Sequence, residues 1–147
     1  MVKIGVCGHF GGGKNFLDGQ TVKTKIVTKE LQREFGNNEV KKVDTYGGKK
    51  RLFSIITNLI GLVISCKNVI IFPAQNSLML FAPILAFINR FYHRKLHYVV
   101  IGGWLPEFVA KRKFLRKALM KFDCIYVETN TMKNKLEVMG FYNIAIM

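Results

Sequence analysis

The sequence predicts an α/β fold, a Rossmann-like doubly wound parallel sheet with helices on both faces. Two observations carry this. Short apolar runs rich in β-branched residues alternate with longer segments whose apolar residues recur at helical spacing, and the first run passes directly into a glycine-rich loop. Strands joined through helices imply right-handed crossovers and a parallel sheet. Such sheets bind ligands beyond the carboxyl ends of their strands.

Lys3–Gly8 reads as the first strand. Gln20–Phe35 reads as a helix, with Val22, Ile26, Val27, Leu31 and Phe35 as its apolar stripe and Gly36 as its stop. A strand over Glu39–Asp44 follows, then an apolar helix over Arg51–Ser65 and a buried strand over Asn68–Phe72 that ends at Pro73. The alternation continues through a helix over Asn76–Tyr92, a strand over Leu96–Ile101, a helix over Glu107–Phe122, a strand over Cys124–Glu128, a helix over Asn130–Met139 and a strand from Tyr142 to Met147. The ligand loops are then 9–19, 45–50, 73–76, 102–106 and 129–130. No repeat, low-complexity tract or linker divides the chain, so residues 1–147 are expected to fold as one domain.

The formal charge of +14 implies an acidic partner: nucleic acid, an anionic membrane surface or phosphorylated ligands. Cys7, Cys66 and Cys124 are far apart, without metal-ligand spacing, and read as reduced core residues of a cytosolic protein. No signal-peptide apolar region is present at the N-terminus. The stretch 52–65 is too short to span a bilayer at about 1.5 Å per residue, and 69–91 is interrupted from Pro73 to Ser77.

Glycines between a strand and a helix allow a sharp turn and leave N–H groups and a helix N-terminus aimed at one spot, an arrangement that suits an anion. Gly8-His9-Phe10-Gly11-Gly12-Gly13-Lys14-Asn15 nearly matches the P-loop pattern. It departs at Asn15, which lacks the magnesium-binding hydroxyl, and at Phe16–Gly19, which separates Lys14 from the helix; no strand ends in a clear Walker B carboxylate. The glycine spacing also misses the dinucleotide fingerprint, although Asp44 stands at a strand end where a ribose-binding acid belongs. A plain flexible turn is the simplest alternative.

Together with Asp18-Gly19-Gln20-Thr21-Val22-Lys23-Thr24, Val43-Asp44-Thr45, Gly102-Gly103-Trp104 and Val127-Glu128-Thr129, the loop gives the chain a family resemblance. It resembles the N-terminal half of a glycosyltransferase family 4 enzyme of the GT-B fold, of the kind found in bacterial surface-polysaccharide biosynthesis, over essentially its whole length. The resemblance implies a retaining transferase that moves a sugar from a nucleotide-sugar to a lipid-linked or saccharide acceptor, with the acceptor bound here and the donor held by a second domain. No E-x7-E donor motif occurs, so the chain alone is expected to be inactive. The nucleotide-sugar is a substrate; no cofactor and no metal are implied.

Position by position, the resemblance puts Gly11, Gly12, Gly13 and Lys14 against the donor phosphates. Gln20, Thr21, Gln75, Asn76, Gly103 and Trp104 fall on the acceptor side, Trp104 as a sugar platform. A histidine that several members carry after the fourth or fifth strand is replaced by Gly102-Gly103-Trp104 and Thr129-Asn130, which leaves His9 as the candidate catalytic contact. The alternatives are a P-loop-like nucleotide-binding protein and a basic nucleic-acid-binding module; the second has only charge behind it, and no nucleic-acid partner is expected.

In the segment 107–122, Phe108, Leu115, Leu119 and Phe122 form a core-facing stripe, while Lys111, Arg112, Lys113, Arg116 and Lys117 crowd elsewhere on the helix. Arg90, Arg94 and Lys95 extend this basic patch. Each cation near an anionic bilayer contributes about 1 kcal/mol, so the patch is expected to hold the protein reversibly at the inner face of the cell membrane.

Overall fold

The computed structural model describes residues 2–147. Its elements are β1 (Val2–Gly8), α1 (Gly19–Phe35), β2 (Val40–Asp44), α2 (Leu52–Ser65), β3 (Cys66–Ile71), α3 (Gln75–Tyr92), β4 (Lys95–Val99), α4 (Leu105–Ala110), α5 (Lys113–Met120), β5 (Cys124–Val127), α6 (Asn130–Val138) and β6 (Ile144–Ile146), with 3-10 turns at Asn37–Glu39 and Gly48–Arg51. The six strands form one sheet in the order β2-β1-β3-β4-β5-β6, and every pair is parallel. The fold is a doubly wound α/β sheet, as the alternation predicts. Strand order reverses between β1 and β3, so the carboxyl ends of these two strands mark the switch point where such folds hold ligands.

The helices are shared unequally between the two faces. The larger core packs Cys7, Val69, Tyr98 and Ile125 of the sheet against α2 to α6. The smaller one, formed by Ile4, Val6, Val40, Phe72 and Val99, is covered by Val27 and Leu31 of α1. Among the described residues no other helix covers that face, and a groove of about 320 Å³ lies beside α1 over Asn68, Ile70, His97 and Tyr126. Burial holds the His97 imidazole below its usual pKa, against a smaller upward pull from Asp123.

Two expectations are corrected. In α1 the buried stripe is Thr21, Thr24 and Thr28, whereas Val22, Ile26 and Phe35 are exposed. The reason is close approach: a Cβ on Gly8 of β1 would lie 2.6 Å from Thr24 Cγ2, so the helix meets the strand through small residues. The Thr24 and Thr28 hydroxyls donate to the Gln20 and Thr24 carbonyls, which satisfies them inside the interface. The expected helix over 107–122 is two helices. Arg112 leaves helical geometry (φ −130°, ψ 82°), and α5 sets off anew with Leu115, Ala118 and Leu119 facing the core.

Candidate functional site

Gly11, Gly12 and Gly13 all have positive φ (87°, 58° and 86°), a run that L side chains do not tolerate. What holds this left-handed turn is Asp44. The β1–β2 register sets Gly8 beside Asp44, and the carboxylate beyond them accepts from Phe10 N–H (2.9 Å), Gly12 N–H (2.8 Å) and Tyr46 N–H (2.9 Å). Burial alone would raise the Asp44 pKa; the three N–H donors outweigh it and hold the carboxyl below its usual value. The Lys14 N–H closes the turn on the Gly11 carbonyl at 2.9 Å. Tyr46 lies against Gly12 so closely that a Cβ there would enter its ring. His9, Phe16 and Tyr46 form an aromatic cluster with centroids 5.3 to 6.0 Å apart, and Lys14 Nζ sits 5.5 Å above the Tyr46 ring. The loop is therefore a built structure rather than a plain flexible turn.

Asp18 caps α1, accepting from Thr21 N–H (3.0 Å) and from the Thr21 hydroxyl (2.8 Å). These backbone and side-chain bonds from Thr21 lower the Asp18 pKa, so the carboxylate is the acceptor. His9 Nδ1 lies 2.6 Å from the same Thr21 oxygen. Thr21 has one proton and gives it to Asp18, so its oxygen accepts from His9 Nδ1–H. Nε2 is the ring nitrogen left outside this chain of bonds. The chain Asp18–Thr21–His9 thereby fixes the ring and its tautomer.

The start of α1 draws the other loops into one rim. Gln20 Nε2 donates to the Phe72 carbonyl beyond β3 (2.6 Å), Gly19 lies against Ile101 beyond β4, and Lys23 pairs with Glu128 beyond β5 (2.7 Å). Gln75 and Asn76 are exposed in the first turn of α3 on the same rim. Gly103 is open, and Trp104 is half-buried, its indole N–H donating to Ile101 O (2.9 Å) and its ring edge-on to Phe108. From β2 to α2 a polar groove of about 530 Å³ runs down the sheet edge from Asp44, lined by Lys41, Lys42, Arg51 and Asn58.

The structure corrects several assigned roles. Thr21 is fully buried and acts by orienting His9, so it does not line the acceptor side. The Gln20 amide N–H₂ is engaged with backbone, which leaves its carbonyl oxygen for a ligand. The Gly12 N–H already serves Asp44 and Gly11 is buried beneath Phe16, so within the loop the exposed Gly13 and the Lys14 side chain are what is left for an anion. Arg112 stacks on the Phe108 ring at 3.9 Å and donates to its carbonyl at 3.0 Å, which removes it from the free cations; Lys111, Lys113 and Lys117 are exposed, and Arg116 is half-buried.

Residue patterning alone does not reveal the Asp44 clamp or the Phe16–Tyr46 cover on the loop. The signal for Asp18 was present, an Asp three residues before a buried Thr at a helix start. A triphosphate cradle is not built here: α1 begins at Gly19 rather than directly after Lys14, and the Asp44 carboxylate takes the Gly12 N–H. Among the described residues no group of three metal-ligating side chains occurs. No protein-family model matches the chain, and no curated protein matches it.

Proposed function

We propose that this chain is the acceptor-binding side of a GT-B-type sugar transferase that moves a sugar from a nucleotide-sugar to a saccharide or lipid-diphosphate-linked acceptor. The observation that carries the reading is the Asp18–Thr21–His9 chain at the switch point. It orients the His9 ring as a hydrogen-bonding partner for a sugar hydroxyl, in the same loop as Lys14 and the exposed Gly13, which suit a diphosphate. Gln75, Asn76 and the Gly103–Trp104 corner add hydroxyl partners and an apolar surface for a sugar ring. The family resemblance assigns the donor to a second domain, so this side supplies acceptor recognition and closes on the donor phosphates.

Trp104 is the only tryptophan, so its fluorescence reports directly on the rim. Titration with a short-chain, water-soluble lipid diphosphate disaccharide is expected to shift Trp104 emission saturably. His9→Gln weakens that binding, and magnesium ATP does not reproduce it. Saturable magnesium ATP binding lost in Lys14→Ala, with no response to the saccharide, overturns the reading in favour of a nucleotide-binding protein.

A further inference from the structure

Two helices of the outer layer are uncharged over most of their length. No charged residue occurs between positions 52 and 65 of α2 or between positions 75 and 89 of α3. Their inner sides fill the core through Ile55, Leu59, Leu78, Phe81 and Leu85. Their outer sides carry Phe53 (86 % exposed), Phe87 (60 %) and Phe91 (71 %). A surface helix of a globular domain turns mainly polar residues outward; on α2 Phe53 shares the exposed side with Ser54, Thr57 and Asn58, and past its first turn α3 exposes Met79, Phe87, Phe91 and Tyr92 beside Arg90. Phe87 and Phe91, one turn apart, pack edge-to-face with centroids 6.0 Å apart. On α5, which with α2 flanks α3, Phe114 is 75 % exposed.

Charge on this layer has one sign. Lys49, Lys50 and Arg51 precede α2, Arg90 stands on α3 beside Phe91, and Lys113, Lys117 and Lys121 are exposed on and just after α5. No aspartate or glutamate occurs in α2, α3 or α5. Exposed phenylalanines set among cations that have no acidic partner among the described residues, Arg51 donating to the Tyr46 carbonyl, fit a surface that is apolar at depth and anionic at its boundary. A second copy of the chain would set these cations against one another, which opposes self-association through this face.

We propose that the outer face of α2, α3 and α5 docks onto an anionic phospholipid bilayer, with Phe53, Phe87, Phe91 and Phe114 seated at the headgroup–acyl boundary and the surrounding Lys and Arg residues on lipid phosphates. The contact is apolar as well as electrostatic, and it is broader than the basic cluster from Lys111 to Lys117. It lies on the surface of the domain: no helix among the described residues is long and apolar enough to cross a membrane. Phe87 lies about 18 Å along α3 from Gln75, so the helix that meets the lipid also reaches the rim. This inference is independent of the sugar chemistry.

Co-sedimentation with phosphatidylcholine vesicles and with mixed phosphatidylcholine–phosphatidylglycerol vesicles tests it. Binding to the anionic vesicles is expected, with weak binding to phosphatidylcholine alone. Phe87→Ser/Phe91→Ser lowers the partition coefficient by about ten-fold or more, at low and at high salt. Lys113→Gln and Lys117→Gln each lower it by about five-fold at low salt, less at high salt. All four side chains are exposed, so the variants are expected to melt as the parent does, and Phe53→Ser/Phe114→Ser supplies an independent pair. Unchanged partition in both phenylalanine pairs overturns the proposal, as does binding that salt abolishes completely. A concentration-dependent dimer dispersed by Phe87→Ser/Phe91→Ser, without vesicle binding, overturns it as well.

Discussion

Replacing Asp44 with asparagine isolates the clamp on the glycine loop. The carboxylate accepts three backbone N–H groups, two at Oδ1 and one at Oδ2. Asparagine retains an oxygen for Phe10 and Tyr46 but turns an N–H₂ group toward the Gly12 N–H. One bond is lost outright and two lose their charge. Hydrogen bonds to a charged group contribute about 1.5–3 kcal/mol and neutral ones about 1 kcal/mol; with Asp44 only partly buried, the total loss is about 2 kcal/mol. In a domain of this size that lowers the melting temperature by about 4–8 °C.

The sign with pH follows from the depressed pKa of Asp44. Its contribution is full above the usual carboxyl value and is lost as pH falls through the lower folded-state value. The difference in stability between parent and Asp44→Asn is therefore wide at neutral pH and closes in acid, where Asp44 is itself protonated. Thermal melts across this range read the gap, and hydrogen exchange at 10–16 reads the loop. Equal melting at neutral pH together with unchanged loop protection refutes the clamp.

Gly8→Ala places a methyl 2.6 Å from Thr24 Cγ2 and 3.2 Å from Phe72 Cβ, and overpacking of this kind costs about 1–3 kcal/mol. Thr24→Ser in the same chain restores part of the loss in a denaturant titration; strict additivity of the two substitutions refutes the contact. The Tyr98 hydroxyl is fully buried with no partner among the described residues, and burial raises its pKa. Tyr98→Phe is expected to stabilise the protein by about 1 kcal/mol in the same titration, and a destabilised variant shows that the hydroxyl is satisfied.

The strands were legible because a parallel sheet covered by helices demands continuous apolar runs. Val69–Ile71 and Tyr98–Val100 stand out for that reason, and their limits shift by only a residue or two. Strand order was not legible, since periodicity says nothing about which neighbour a strand chooses. The face of α1 was misjudged because Val22, Ile26 and Phe35 supply the apolar period, while burial is set by the room beside Gly8, a tertiary fact that favours threonine. The break at Arg112 carries no glycine or proline to announce it; it is held by stacking on Phe108. Within the site, the glycine turn, Lys14 and His9 were visible as a loop after a strand. Asp44 was visible only as a strand end, because its partners depend on the β1–β2 register. The orientation of His9 depends on which oxygen of Asp18 and Thr21 each proton reaches, which no linear pattern records.

The turn after β1 arrives already holding an anion, one supplied by its own chain. A small inorganic oxyanion drifting into it must either evict a tethered carboxylate or settle for the few donors left over, and neither exchange is rewarding. A free phosphate or sulfate entering the turn would meet the Asp44 carboxylate with the Gly12 N–H already engaged, so the turn by itself gives a small oxyanion little to hold.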